Sequence, residues 1–270
     1  MKFTVLGASG FIGSHLAGYL RQAGHECLTP ARGDSSVADM DLGHVIYCIG
    51  LTADFRRRPF DTVQAHVCFL AEVLEKYRFE SLLYLSSTRV YAGAASGDEE
   101  AQLIAGDLYN LSKLTGEAMC FASGRGNVRV ARLSNVFGAD FSSDNFLPSL
   151  IRAAVADGRI TLGTDLDSAK DYVSIDDVVS ILPKIALAGN RRVYNVANGR
   201  NTSNSEVVEK IRELTGCVLE VTGDARPVLF PPIQVARLRQ EFGFSPAMLL
   251  DCLDELIVEY RRVLKGKGKK

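Results

Sequence analysis

No stretch of this 270-residue sequence approaches the ~20 consecutive apolar residues of a membrane-spanning helix, so no membrane partner is expected. Neither sign of charge dominates: 31 Lys and Arg face 32 Asp and Glu, and a net charge of −1 gives no global field for nucleic acid or an anionic surface. Any anionic ligand must then be held by local groups. The cysteines, Cys27, Cys48, Cys68, Cys120, Cys217 and Cys252, form no CxxC pair and mostly sit in apolar runs, which speaks against a disulfide framework and against a metal site. There is no internal repeat and no low-complexity linker, so one body with two lobes is expected. Residues 1–20 open on a strand and not on the charged and apolar regions of a leader peptide, which makes the cytoplasm the expected location. The Gly-interleaved basic end, residues 265–270, reads as a disordered, solvated tail and not as a nucleic-acid arm.

What the chain does contain, 47% hydrophobic and 23% charged residues, suffices for a large α/β domain or for a core domain with a smaller cap. It begins with an apolar strand, Phe3 to Leu6, that runs into Gly7-Ala8-Ser9-Gly10-Phe11-Ile12-Gly13 and then into a helical pattern with Phe11, Ile12, Leu16 and Leu20. In such a strand–turn–helix unit Gly7 takes the tight turn, Gly10 admits a pyrophosphate against the backbone, and Gly13 permits close helix–strand packing. Free N–H groups and the positive helix end then face the phosphates. The expected dinucleotide contacts are Gly7, Ser9, Gly10, Phe11, Ile12 and Gly13, although the spacing is GxxGxxG and not GxGxxG.

The second strand, read over residues 25–31, ends Ala31-Arg32. An Arg there can pair with the 2′-phosphate of NADP, whereas an acidic residue would hold the ribose of NAD, so Arg32 points to NADP, with NAD the alternative if Asp34 takes the acidic role. Residues 33–43 are short and polar, and the usual third strand and its helix are compressed or missing. Arg56-Arg57-Arg58 could meet a phosphate, yet a charge run in a loop is more often solvated. Val63 to Tyr77 reads as a helix, and Leu82 to Ser87 as a strand ending in hydroxyl residues, the end at which open parallel sheets place their sites. A helix from Asp107 to Met119 puts Tyr109 and Lys113 on one face, four residues apart. An ammonium beside a phenol stabilises the phenolate, so Lys113 is expected to lower the Tyr109 pKa towards that of a proton shuttle.

The glycine turn, the strand end Leu85-Ser86-Ser87-Thr88-Arg89-Val90-Tyr91, Tyr109-xxx-Lys113, Ala131 to Gly138, Asp171 to Val178 and Tyr194 to Gly199 together resemble the extended short-chain dehydrogenase/reductase family, also called the NAD-dependent epimerase/dehydratase family, and most closely its nucleotide-sugar branch. The resemblance implies a Rossmann-type doubly wound parallel sheet with a smaller C-terminal α/β substrate-binding cap. The dinucleotide-binding domain would span 1–138 and 171–196, and the cap 139–170 and 197–264, with helices over 205–215 and 246–264. It further implies that Tyr109 is the general acid/base, that Lys113 holds the nicotinamide ribose, and that Ser87 binds the reacting oxygen. Asn135, Lys170 and Arg226 would meet the substrate, a nucleotide sugar, in a 4-ketoreductase or 4-epimerase reaction. A homodimer is left open. Four departures qualify the carry-over: Thr88-Arg89 replaces the Asp-Glu of the dehydratases, arguing against water elimination, and His66 replaces an Asn. Val228-Leu229-Phe230-Pro231-Pro232 replaces a polar Gly-Asp after Arg226-Pro227, and the stretch 33–43 is short, which bears on the adenine pocket. The rival reading is a non-catalytic dinucleotide-binding protein, a redox sensor or assembly subunit, for which a complete Ser87, Tyr109 and Lys113 would have no use.

Overall fold

A computed structural model describes residues 1–51, 54–103, 106–222 and 227–267. The strands in chain order are β1 (Lys2–Leu6), β2 (Glu26–Leu28), β3 (His44–Tyr47), β4 (Ser81–Ser87), β5 (Val128–Leu133), β6 (Asn135–Phe137), β7 (Arg159–Leu162), β8 (Ala169–Ser174), β9 (Val193–Val196), β10 (Asn201–Ser203) and β11 (Val218–Val221). The helices are α1 (Phe11–Gln22), α2 (Pro59–Val63), α3 (Phe69–Lys76), α4 (Leu108–Ala122), α5 (Phe146–Ala156), α6 (Ile175–Ala188), α7 (Asn204–Thr215), α8 (Ala236–Phe242) and α9 (Leu249–Lys267).

Six strands form one parallel sheet in the order β2-β1-β3-β4-β5-β9. Both faces are covered, which is why β4 reads as a continuous apolar run and not as an alternation. One face packs Phe3, Val5, Leu16 and Leu20 against Val178, Leu182 and Ile185 of α6. The other packs Tyr47, Tyr84, Leu70 and Val73 beneath α3 and α4. This is the doubly wound Rossmann-type arrangement, with β3 returning to the far side of β1 from β2. Between β2 and β3 lies only a 3₁₀ turn, Ser35–Asp39, where a further strand and helix were expected to be compressed or absent. β2 itself stops at Leu28, short of the strand read to residue 31, because Pro30 has no N–H to offer the ladder.

A second core gathers Leu147, Leu150 and Ile151 of α5, Val207 and Ile211 of α7, and Leu253, Ile257 and Tyr260 of α9. Two small sheets flank it, β10-β8-β6 and β11-β7. Within the range read as cap, Leu238 and Phe244 depart from that assignment: both pack into the core under the large sheet, where α8 lies against β9. α9 also runs through Lys267 and so corrects the expected tail at residues 265–267, since a helix nucleated by packed turns propagates at little cost. Residues 268–270 lie outside the described residues. Among the described residues no helix is long and apolar enough to cross a membrane, and no group of three or more His, Cys, Asp or Glu could hold a metal ion.

Candidate active site

The cleft lies at the carboxyl ends of β1, β3, β4 and β5, where α1 begins and the second lobe faces the sheet. Its volume is about 450 Å³. Gly10 caps α1 with φ −82° and ψ 170° and brings no side chain to the helix end, so the first N–H groups of α1 are open to the cleft. Gly7 stands at φ +90°, a conformation that glycine alone adopts readily. A Cβ on Gly13 would lie 2.2 Å from the Gly7 carbonyl oxygen, whereas a Cβ on Gly10 would meet nothing closer than 3.5 Å and would project into open space. The helix is therefore pressed against the turn at Gly13 and opened to a ligand at Gly10. These backbone features fit the pyrophosphate of a dinucleotide.

Ser87 ends β4, and its Oγ accepts the Arg89 N–H at 3.2 Å, starting a 3₁₀ turn. Asp107 starts α4 by accepting the Asn110 N–H at 2.9 Å, and α4 then directs Tyr109 and Lys113 to the same cleft. Lys113 Nζ donates to the Leu85 carbonyl at 2.8 Å. Burial lowers the Lys113 pKa to about 7, against the Glu117 carboxylate four residues on, which acts to raise it. Tyr109 corrects the expected direction: burial pushes its phenol above the ordinary range, helped by the Asp107 charge, while the Ser87 hydroxyl and the Arg89 guanidinium act to lower it. Lys113 is not among the groups that shift it, because spacing on a helix face says nothing of the dehydration both groups undergo.

Other residues join the site through tertiary packing, among them His66 and Arg89, which the sequence marks only as departures from the family pattern. His66 sits in a π-turn, Gln64–Cys68, that joins α2 to α3 where an unbroken helix was expected. Its Nε2 accepts the Leu51 N–H at 3.2 Å, so Nδ1 carries the proton donated to Ser112 Oγ at 2.8 Å, and Ser112 Oγ donates to the Tyr109 carbonyl at 2.9 Å. Burial and Lys113 hold the His66 pKa at about 2, so the ring is neutral. Arg89 donates to Asp107 at 2.9 Å and lies 5.1 Å from the Tyr109 ring centre and 5.3 Å from that of Phe55. Glu117, i+4 from Lys113 on α4, receives two-pronged donation from Arg132, at 2.6 Å and 3.0 Å, and the Ser86 hydroxyl at 2.6 Å.

Of the residues singled out in the sequence, Gly10, Phe11, Ile12, Gly13, Ser87, Tyr109, Lys113, Asn135 and Lys170 all line this cleft. Gly7 lies behind it and Ser9 is exposed beside it. Arg32 is on the exposed loop after β2 and does not line it, and Asp34 is engaged as the cap of the 3₁₀ turn, accepting from the Ser36 N–H and hydroxyl. Asn135 Nδ2 donates to the Asp171 carbonyl at 2.8 Å. Arg226 lies outside the described residues. In the arginine run, Arg58 pairs with Asp61 at 2.7 Å and Arg56 stacks on Phe55, while all three side chains are exposed.

A family model for the NAD dependent epimerase/dehydratase family matches residues 3–69 and 37–197. The chain belongs to that family. The extended short-chain dehydrogenase/reductase resemblance drawn from the motifs, and its nucleotide-sugar branch, stand. GDP-6-deoxy-D-mannose reductase of Pseudomonas aeruginosa is 28% identical over 253 residues, 83% of this chain and 83% of its own length. dTDP-glucose 4,6-dehydratase of Streptomyces griseus is 26% identical over 72% of this chain, and the match spans 62% of that relative, less than two thirds of its length. Among solved structures, RMD from Pseudomonas aeruginosa complexed with NADPH superposes with a TM-score of 0.83 at 26% identity, covering 97% of this chain and 100% of that one. MoeE5 in complex with UDP-glucose and NAD gives 0.85 at 24% identity, covering 98% and 100%, and bears on the fold. The NADPH held by RMD agrees with the expected cofactor, NADP with NAD as the alternative.

Proposed function

We propose that this family member is an NAD(P)-dependent enzyme acting at a sugar carbon of a nucleotide sugar, as a 4-ketoreductase or 4-epimerase, with Tyr109 as the acid/base. The observation that carries the reading is the convergence, in one cleft, of the Ser87 hydroxyl, the Tyr109 phenol and the Lys113 amine between the open α1 terminus and Lys170 of the second lobe. When bound, a nicotinamide supplies the hydride. Lys113, held by the Leu85 carbonyl, is placed to hold its ribose; Ser87 binds the reacting oxygen; Tyr109 exchanges a proton with that oxygen. Asn135 and Lys170 face the substrate from the other wall.

Reduction is the first reading, since Arg32 at the end of the second strand leans towards NADP and so towards a reductase. The pairing of this chain with a reductase among its relatives points the same way. Water elimination has no acid–base pair here, since Thr88 and Arg89 follow Ser87. The test is Tyr109→Phe, assayed with NADPH and 4-keto nucleotide sugars. The variant should keep cofactor affinity and lose ~10²- to 10⁴-fold in kcat. Turnover at the wild-type rate would remove Tyr109 from the mechanism. NAD retained by the purified protein would favour the epimerase; NADP or an empty site would favour the reductase.

A further inference from the structure

Arg89 is positioned more firmly than a surface arginine usually is. Its guanidinium is tied to Asp107 at 2.9 Å and packed against two rings, those of Phe55 and Tyr109. Phe55 is buried, and Arg56 stacks on it at 4.5 Å. Asp107 is in turn fixed by its role as the cap of α4. Yet Nη2 alone of the guanidinium nitrogens has a hydrogen-bond partner among the described residues, and the side chain lines the cleft. A planar fork with one edge anchored and the other open fits a carboxylate.

The place of that open edge matters. Arg89 stands 5.1 Å from the centre of the Tyr109 ring, so its charge lies beside the proposed acid/base. Lys170, from the opposite wall, has no carboxylate partner among the described residues and stacks on Phe146 at 4.6 Å. It is close enough to feel the Arg89 charge, and burial together with that like charge lowers its pKa. Among the described residues the cleft is lined by Arg89, Lys113 and Lys170 and by the carboxylate of Asp140, with Asp107 paired to Arg89. A diphosphate accounts for cations at one end; a cation fixed beside the acid/base does not follow from it.

We propose that the sugar carries a carboxylate on the carbon adjacent to its reacting carbon, as a uronic acid reacting at C4 does, and that the open edge of Arg89 receives it. This rests on the nucleotide-sugar reading above and narrows it. The experiment measures, by calorimetry on the cofactor-loaded full chain, the affinities for UDP-glucuronate against UDP-glucose and for GDP-mannuronate against GDP-mannose, pairs that differ at C6. The acid of at least one pair should bind about 10- to 100-fold tighter, the range expected of a charge-assisted pair. Arg89→Gln should remove the preference while retaining affinity for the neutral sugar, and Arg89→Lys should keep part of it. Unchanged Tm and cofactor affinity in both variants show that the fold has survived; if Arg89→Gln unfolds, the wild-type and Arg89→Lys preferences decide alone. Equal binding of acid and neutral sugar, or a preference that survives in Arg89→Gln, overturns the carboxylate and leaves the nucleotide-sugar reading standing. Failure of all four compounds to bind overturns both.

Discussion

Gly10 and Gly13 are three residues apart in one turn and should fail in opposite ways when given a single methyl group. At Gly13 the new Cβ would lie 2.2 Å from the Gly7 oxygen and 2.8 Å from the Gly7 carbonyl carbon, both backbone atoms of a turn that cannot retreat because Gly7 itself abuts the backbone of Ile49. Overpacking of this kind costs about 1–3 kcal/mol. With an unfolding entropy of about 2 cal/mol/K per residue, that corresponds to a fall in Tm of roughly 2–5 °C for a chain of this size. At Gly10 the nearest atom to a Cβ would be 3.5 Å away, and φ −82° with ψ 170° is open to any L-residue, so Gly10→Ala should leave Tm within about 1 °C. The methyl would instead occupy the space in front of the α1 terminus. Displacing a pyrophosphate from one or two charge-assisted N–H contacts forfeits about 2–4 kcal/mol, a loss of about 30- to 1000-fold in affinity. Calorimetric titration with NADPH and NADH, beside thermal melts, reads both quantities. Wild-type dinucleotide affinity in Gly10→Ala, or wild-type stability in Gly13→Ala, would refute the assignment of the turn.

Two further substitutions test the charges. Arg32→Ala should weaken NADPH binding by about one to two decades and leave NADH nearly unchanged, because one charge-assisted contact is worth about 1.5–3 kcal/mol; equal losses for both cofactors would show that Arg32 does not discriminate between them. For Lys113, with its folded pKa near 7 against 10.5 for the free group, the unfolded chain binds more protons throughout that window, so stability rises with pH between about 7 and 10.5. Lys113→Met should abolish that rise, a difference of about 1–3 kcal/mol between pH 7 and pH 9.5, and parallel stability–pH curves for the two proteins would contradict it.

The parts of this molecule that could be read from the sequence are those in which residue type and spacing themselves carry the geometry. Gly7 and Gly13 are such cases: the positive φ and the missing Cβ are consequences of being glycine, and the flanking strand and helix follow from the apolar period. Tyr109 and Lys113 are another, since four residues on a helix fix a common face. What could not be read is environment. The direction of the Tyr109 shift depends on how many groups crowd around it, and Phe55, which helps bury it, comes from a loop about fifty residues earlier with no periodic signal. Arg89 was legible as a departure from a motif, but its place over two rings depends on that same loop. Leu256 and Tyr260 of α9 line the cleft although they lie at the other end of the chain, a consequence of tertiary packing alone. Leu238 and Phe244 belong to the large-sheet core for the same reason, within a stretch whose composition matches that of the cap.

The row Tyr109, Lys113, Glu117 on α4 shows how burial and charge are set against each other. Burial alone would raise the phenol and discharge the amine, and both shifts are present. Glu117 opposes the second, and it can remain a buried carboxylate only because Arg132 meets it with a paired donation and Ser86 with a hydroxyl. Arg132 also donates to Tyr91, which donates to Asn195 of β9, so the charge that bears on Lys113 is fixed through β4, β5 and β9 together. A buried ion pair gives little net stability compared with an apolar pair of the same volume. Its effect here falls on protonation: Glu117 acts to keep charge on Lys113 against the burial that lowers its pKa. If Lys113 holds a ribose and Tyr109 donates a proton, as proposed, the same desolvation bears on both, and Glu117 offsets it at the amine.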